Sequence, residues 1–140
     1  MRITQETDYA FRILRHLATN EGKVVRAPKI SEAEYVPKRF TLRILRKLNL
    51  AGITDAKRGA NGGFFLKKPK EEITLYDVIL AIEGPIVINR CQDPDDPYCS
   101  KNCALGRNFS TCRFHNELGK IQSNIIDMFK NLTISNFISA

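Results

Sequence analysis

The chain has 140 residues, 43% of them hydrophobic, which is enough for one modest core: a single domain, or a small domain with an appendage. No apolar run approaches the roughly 18 residues that span a bilayer, and the start carries no secretion signal, so a cytoplasmic protein with no membrane partner is expected. The net charge of +7 is uneven, with 16 Lys and Arg against 6 Asp and Glu in residues 1–70, but 6 against 9 in residues 71–140.

A basic half followed by a mildly acidic one suggests a polyanion-binding module joined to a regulatory or assembly module, with a solvated basic surface as the competing reading. Thr4 to Leu17 predicts an amphipathic helix, because Ala10, Ile13, Leu14 and Leu17 recur at i, i+3, i+4, i+7. Glu6 and Asp8 sit near its start, where negative charge suits the helix dipole. Asn20, Glu21 and Gly22 end it. Pro28 opens a short second helix to about Ala33, and a tight turn follows through Glu34, Tyr35 and Val36. Pro37 then opens a third helix to about Asn49, with Phe40, Ile44, Leu45 and Leu48 on its buried face.

Two helices joined by a short turn, the second rich in Arg and Lys, describe a helix-turn-helix. Lys38, Arg39, Arg43, Arg46 and Lys47 face away from the apolar stripe. They could neutralise phosphates, and an arginine reaching a guanine edge would add specificity. A cationic solvent-facing helix is the alternative. The next segment decides between them. Ile53 to Lys57 and Phe64 to Lys68 predict the strands of a β-hairpin, and the Gly-Ala-Asn-Gly-Gly tip tolerates positive φ. With Lys57 and Arg58 at its base, the hairpin matches the wing of a winged helix-turn-helix, which would place Arg58 beside a narrow minor groove. A nucleotide-binding glycine loop is discounted, since neither a P-loop lysine nor Rossmann spacing is present.

Pro69 to Ile73 connects to a fourth helix, opened by a capping-box pattern at Thr74-Leu75-Tyr76-Asp77. It buries Leu75, Val78, Ile79 and Ile82 and stops at Gly84-Pro85. Arg90 to His115 follows and holds all four cysteines, as Cys91-x7-Cys99-x3-Cys103-x8-Cys112-x2-His115. Pro, Gly, Asp and Asn interrupt any period there, so the segment reads as a loop. In a reducing cytosol, clustered thiols are metal ligands or redox thiols rather than structural disulfides. The spacing lacks the paired Cys-x2-Cys knuckles of common zinc sites.

Phe114, Leu118, Ile121, Ile125, Met128 and Leu132 then follow at alternating intervals of four and three, a heptad seam. A two-fold helix pair between subunits fits this better than packing on the same domain, and a homodimer suits a palindromic double-stranded DNA site. The expected architecture is mainly α with a small β-hairpin wing. It comprises a DNA-binding domain over 1–84, a cysteine-rich loop over 85–115, and a dimerisation helix with its tail over 112–140.

The opening Met1 to Ala10, the Arg58-Gly59 and Gly62-Gly63-Phe64 wing, the Ile73 to Ile79 helix start, the cysteine loop and the long last helix together form a known order. They resemble the winged-helix bacterial regulators that include IscR, NsrR and CymR, over nearly the whole chain. The resemblance implies a homodimeric transcriptional regulator, here a repressor, holding a [2Fe-2S] or [4Fe-4S] cluster in its loop. Cluster gain, loss or nitrosylation would change DNA affinity in answer to nitric oxide, redox state or iron-sulfur status. It also implies ligands: Cys91 matches the first cysteine and Cys112 the last, with Cys99 or Cys103 between them, or all four together. His115 matches a histidine ligand of IscR-like members, and Asp8 a carboxylate that NsrR-like members receive from the partner subunit. The recognition helix departs from the pattern. Leu42 stands where IscR-like members carry a base-reading glutamate, and Thr41 replaces a usual leucine.

Two other readings keep this fold: a zinc-stabilised regulator, and a cluster-free thiol sensor. An iron-sulfur electron-transfer protein would need neither the wing nor the basic helix. An enzyme is not expected, since no Ser-His-Asp set, paired-carboxylate pattern or nucleotide loop is present, and His16 lies in a helix with no visible partner.

Overall fold

Thr4 caps the first helix, α1 (Gln5–Thr19), its hydroxyl oxygen accepting from the Thr7 N–H at 3.3 Å in this computed structural model, which describes residues 2–96 and 112–138. The cap aims one apolar face inward, and Ala10, Ile13, Leu14, Leu17 and Ala18 are all buried. Helix α2 (Ala27–Glu34) begins with Pro28 in its first turn and ends at Tyr35, whose φ of 53° is left-handed. That conformation is uncommon for a bulky residue and turns the chain sharply into α3 (Lys38–Leu50). On α3, Ile44, Leu45 and Leu48 are buried as expected. Thr41 is also fully buried, its hydroxyl bonded to the Pro37 carbonyl, whereas Phe40 is only half-buried and rests against Tyr9 with ring centroids 6.1 Å apart. The buried face is therefore rotated slightly from the purely apolar stripe.

The wing is an antiparallel hairpin of β1 (Thr54–Lys57) and β2 (Gly63–Leu66), with Thr54 opposite Leu66 and Lys57 opposite Gly63. Ile53, expected within the first strand, is instead buried just before it. Val25, ahead of α2, adds a one-residue third strand through two hydrogen bonds with Phe64, of 2.9 and 2.7 Å. This approach explains Gly63: its φ is +154°, and a Cβ there would lie 2.6 Å from the Val25 carbonyl oxygen. Helix α4 (Leu75–Glu83) starts with the capping box read from Thr74 and Asp77, both arms being present at 3.0 Å. Leu75, Val78, Ile79 and Ile82 face the core.

The long helix α5 (Arg113–Lys130) differs in kind, since among the described residues not one of its side chains is buried. The segment after it does return to the core. The Leu132 carbonyl accepts from the Leu75 N–H, the Ile134 N–H donates to the Ile73 carbonyl, both at 2.9 Å, and Ile134 is buried among α1 and α4. Residues 134–137, grouped by the sequence with the last helix, thus pack on the core of the first four helices. Mostly helical, with a two-stranded wing, the chain is a winged helix-turn-helix.

Candidate DNA-binding face and cysteine-loop foot

On α3, Lys38, Arg39, Arg43 and Arg46 are exposed and Lys47 is half-buried. The half-buried ring of Phe40 organises two of them, with the Arg39 and Arg43 guanidinium carbons 5.2 and 5.8 Å from its centroid. Arg43 and Lys47 also reach Glu6 on α1, at 3.2 and 2.9 Å, and Lys47 bonds the Ile82 carbonyl at 3.4 Å. Burial opposes ionisation of Glu6, yet the hydrogen bonds and charges of Lys47 and Arg43 outweigh it and hold its carboxyl below the ordinary range. Lys47 therefore spends its charge inside the domain, joining α1, α3 and α4. Arg39 and Arg46, with Arg43 beside them, present the outer positive edge.

Lys57 and Arg58 are exposed where β1 ends and the tip begins. The tip is closed by Gly62, whose N–H bonds the Gly59 carbonyl at 2.9 Å and whose missing Cβ would lie 2.2 Å from the Lys57 carbonyl oxygen. Arg26, not singled out by the sequence, donates through Nη2 to the Ala60 carbonyl and braces the tip from the start of α2. Nothing local in the sequence marks that contact, because its partners are 34 residues apart.

The cysteine loop leaves the domain through a 3-10 turn at Arg90–Gln92. Cys91 is half-buried there, its sulfur accepting from Asn89 Nδ2 at 3.2 Å, while Arg90 holds Asp96 with two bonds of 2.9 and 3.1 Å. At the far end of the loop Cys112 is the exposed N-cap residue of α5, and His115 lies in the first turn. Gln92 joins the two ends. Its Nε2 donates to the His115 carbonyl at 2.7 Å and lies 3.3 Å from His115 Nδ1 and 3.5 Å from the Cys91 sulfur. Cys91 and His115, 24 positions apart, both lie against this one amide nitrogen at the foot of α5. Cys99 and Cys103 fall outside the described residues. Among the described residues no three His, Cys, Asp or Glu side chains converge into a complete metal site.

Asp8 is half-buried on α1 and pairs with Arg12 at 3.0 Å. It lines a cavity of about 300 Å³ whose apolar wall is Phe11, Leu75, Ile134 and Phe137. His16 does have a partner, contrary to the sequence reading: Nδ1 lies 3.3 Å from Glu34 at the end of α2. That pair ties α1 to the end of α2. The expected heptad residues form an open stripe on α5. Phe114 is 81% exposed, Met128 69% and Ile121 49%, Leu132 is exposed, and Leu118 and Ile125 are half-buried. Among the described residues no helix is long and apolar enough to cross a membrane.

Comparison with known proteins agrees with this geometry. The family model Rrf2, described as an iron-dependent transcriptional regulator, matches residues 3–140. Protein aau3 of Rhizobium meliloti is 32% identical over 140 residues, covering all of this chain and 86% of its own length. Among solved structures, the global cysteine regulator CymR of B. subtilis aligns with a TM-score of 0.70 at 18% identity, over 98% of this chain and 95% of that one. The T. potens IscR aligns with a TM-score of 0.73 at 17% identity, over 98% and 85%. At those identities the two structures speak for the fold.

Proposed function

The chain belongs to the Rrf2 family of transcriptional regulators, and from that premise we propose that it is a homodimeric repressor whose operator affinity is governed by an iron-sulfur cluster in the Cys91–His115 loop. The observation that carries this reading is the meeting of Cys91 and His115 at the foot of α5. Thiolate and imidazole are donors that iron-sulfur clusters accept, and Cys112, at the N-cap one turn before His115, adds a third on the same helix end. The donor types thus fit such a group, although the described three do not converge on one point; Cys99 and Cys103 are the remaining candidates and Asp8 of the partner subunit the alternative fourth. When bound, the cluster supplies a centre that exchanges electrons and is dismantled by oxygen or nitric oxide. The chain's own residues position it between the domain that carries the wing and the helix that meets a second copy.

The DNA contacts follow from charge and exposure. Arg39, Arg43 and Arg46 on α3, with Lys38 beside them, would enter or flank the major groove, and Lys57 and Arg58 on the wing would take the adjacent minor groove. Lys47, held by Glu6 and the Ile82 carbonyl, would act on DNA mainly by keeping α3 in place. The open apolar stripe of α5 calls for a second copy, since exposed Phe114, Ile121 and Met128 would otherwise stand in water. Two heads related by two-fold symmetry would read a palindromic duplex.

The test is anaerobic purification followed by an absorption spectrum with iron and sulfide analysis, repeated after nitric oxide or air. Visible bands with matched iron and sulfide are expected, bleaching on exposure. A colourless protein that carries zinc, or that cannot be reconstituted, would overturn the cluster and leave a zinc or thiol regulator. DNA affinity is expected to fall steeply with salt as phosphate contacts release counterions, and a flat response would remove DNA as the partner.

A further inference from the structure

Gln92 is where the cysteine turn meets α5, and its amide is neither a thiolate or imidazole donor nor part of the DNA face. One amide nitrogen touches three groups: the His115 carbonyl at 2.7 Å, His115 Nδ1 at 3.3 Å and the Cys91 sulfur at 3.5 Å. The other side of the amide has its own seat. Gly119, one turn further along α5, has no side chain, and a Cβ there would lie 3.2 Å from Gln92 Oε1. A glycine inside a helix is less favourable than alanine, and here the space it leaves is filled by the glutamine. A second contact runs parallel, the Ile88 N–H donating to Gln122 Oε1 at 3.1 Å, so the turn lies along α5 over two helical turns.

We propose that Gln92 is a positioning residue that clamps Cys91 against the first turn of α5 through the His115 backbone, with Gly119 as its seat. The geometry separates this from simple packing. The shortest contact goes to a main-chain oxygen, so it survives any change of the imidazole, and it needs an N–H donor at that point. Removing the donor takes away one of the turn's bonds to the helix and widens the range over which Cys91 moves relative to residue 115. The inference deepens the reading of the loop as a metal site, because a ligand fixed before the metal arrives costs less ordering when it binds.

The test uses the full chain and no iron. In a variant carrying Cys99→Ser, Cys103→Ser, Cys112→Ser and His115→Cys, the Cys91 thiol and the introduced thiol can form an intramolecular disulfide with a diamide oxidant. Its rate, divided by the rate with an external thiol, reports how often the two positions meet. Adding Gln92→Ala is expected to lower that ratio about fivefold, the weight of one net hydrogen bond. Adding Gln92→Glu, which keeps the shape but replaces the donor by an acceptor, should lower it at least as much. Gly119→Leu, which fills the seat, should lower it too, while helix content by circular dichroism stays unchanged. An unaltered ratio in Gln92→Ala, or a normal ratio in Gln92→Glu beside a reduced one in Gln92→Ala, would overturn the clamp. Iron and sulfide analysis of the wild-type chain decides the cluster reading separately, so failure of either statement is visible without the other.

Discussion

In the winged-helix head, Ile13, Leu14, Ile30, Ile44, Leu45, Leu48 and Ile53 are buried almost completely, whereas α5 buries none of its residues although its apolar positions repeat with heptad spacing. Both regions have amphipathic helices; they differ in what covers them. The head's stripes cover one another, and its short turns and helix caps are consistent with that. Among the described residues the arm lies mainly against the 3-10 turn and α4, and its loop contains the cysteines. A region completed within its own chain is built for constant shape, while one completed by a second copy or a metal can answer to either.

The largest effect that would sharpen this contrast is in the head. Leu45→Ala should cost about 2–5 kcal/mol of stability, measured by urea unfolding, because the site is closed on all sides. Ile134→Ala tests where the boundary runs. Ile134 follows the exposed helix yet is buried in the head, so its loss should resemble that of Leu45 rather than that of its neighbours. A cost under about 0.5 kcal/mol, the scale of surface changes, would place it with the arm. Met128→Glu should do the reverse. It should leave the melting of the head nearly unchanged, convert the protein to monomer in sedimentation, and reduce affinity for a palindromic duplex by roughly a hundredfold as the avidity of two heads is lost.

Smaller changes address the DNA face. Arg58→Ala should weaken specific DNA binding by about 1–3 kcal/mol, and Arg39→Ala should reduce the salt slope by about one counterion, as fluorescence anisotropy against salt would record. The smallest expected change is in Glu6→Gln, at roughly 0.5–1 kcal/mol near neutral pH, since Arg43 is well exposed. The lowered pKa of Glu6 means that its contribution is complete above the ordinary value of 4.5 and is lost as pH falls through the lower folded value. The gap between wild type and variant should therefore close on acidification below that range, and a gap that widened would contradict the ion pairs.

What the sequence made legible was local. The Thr74 and Asp77 capping box, the Pro28 and Pro37 helix starts, the glycine tip of the wing and the heptad stripe each have their signal within a few residues. Contacts between distant segments were not legible: Val25 completing the wing, Arg26 bracing Ala60, Glu6 drawing in Arg43 and Lys47, His16 meeting Glu34, and Ile134 returning to the core. Each depends on a tertiary approach that no periodicity encodes. The cysteine loop lies between these cases. Its composition pointed to metal ligands or redox thiols, but nothing in it marked Gln92, whose amide touches both Cys91 and His115.

The most direct test of the coupling between arm and head is one anaerobic preparation, assayed for binding to a duplex selected from random sequence before and after a chelator strips its iron. The two Kd values are expected to differ by at least about tenfold, and Cys91→Ser, stripped or not, should give the stripped value. Equal affinities in the loaded and stripped wild-type protein would show that the loop does not govern the head.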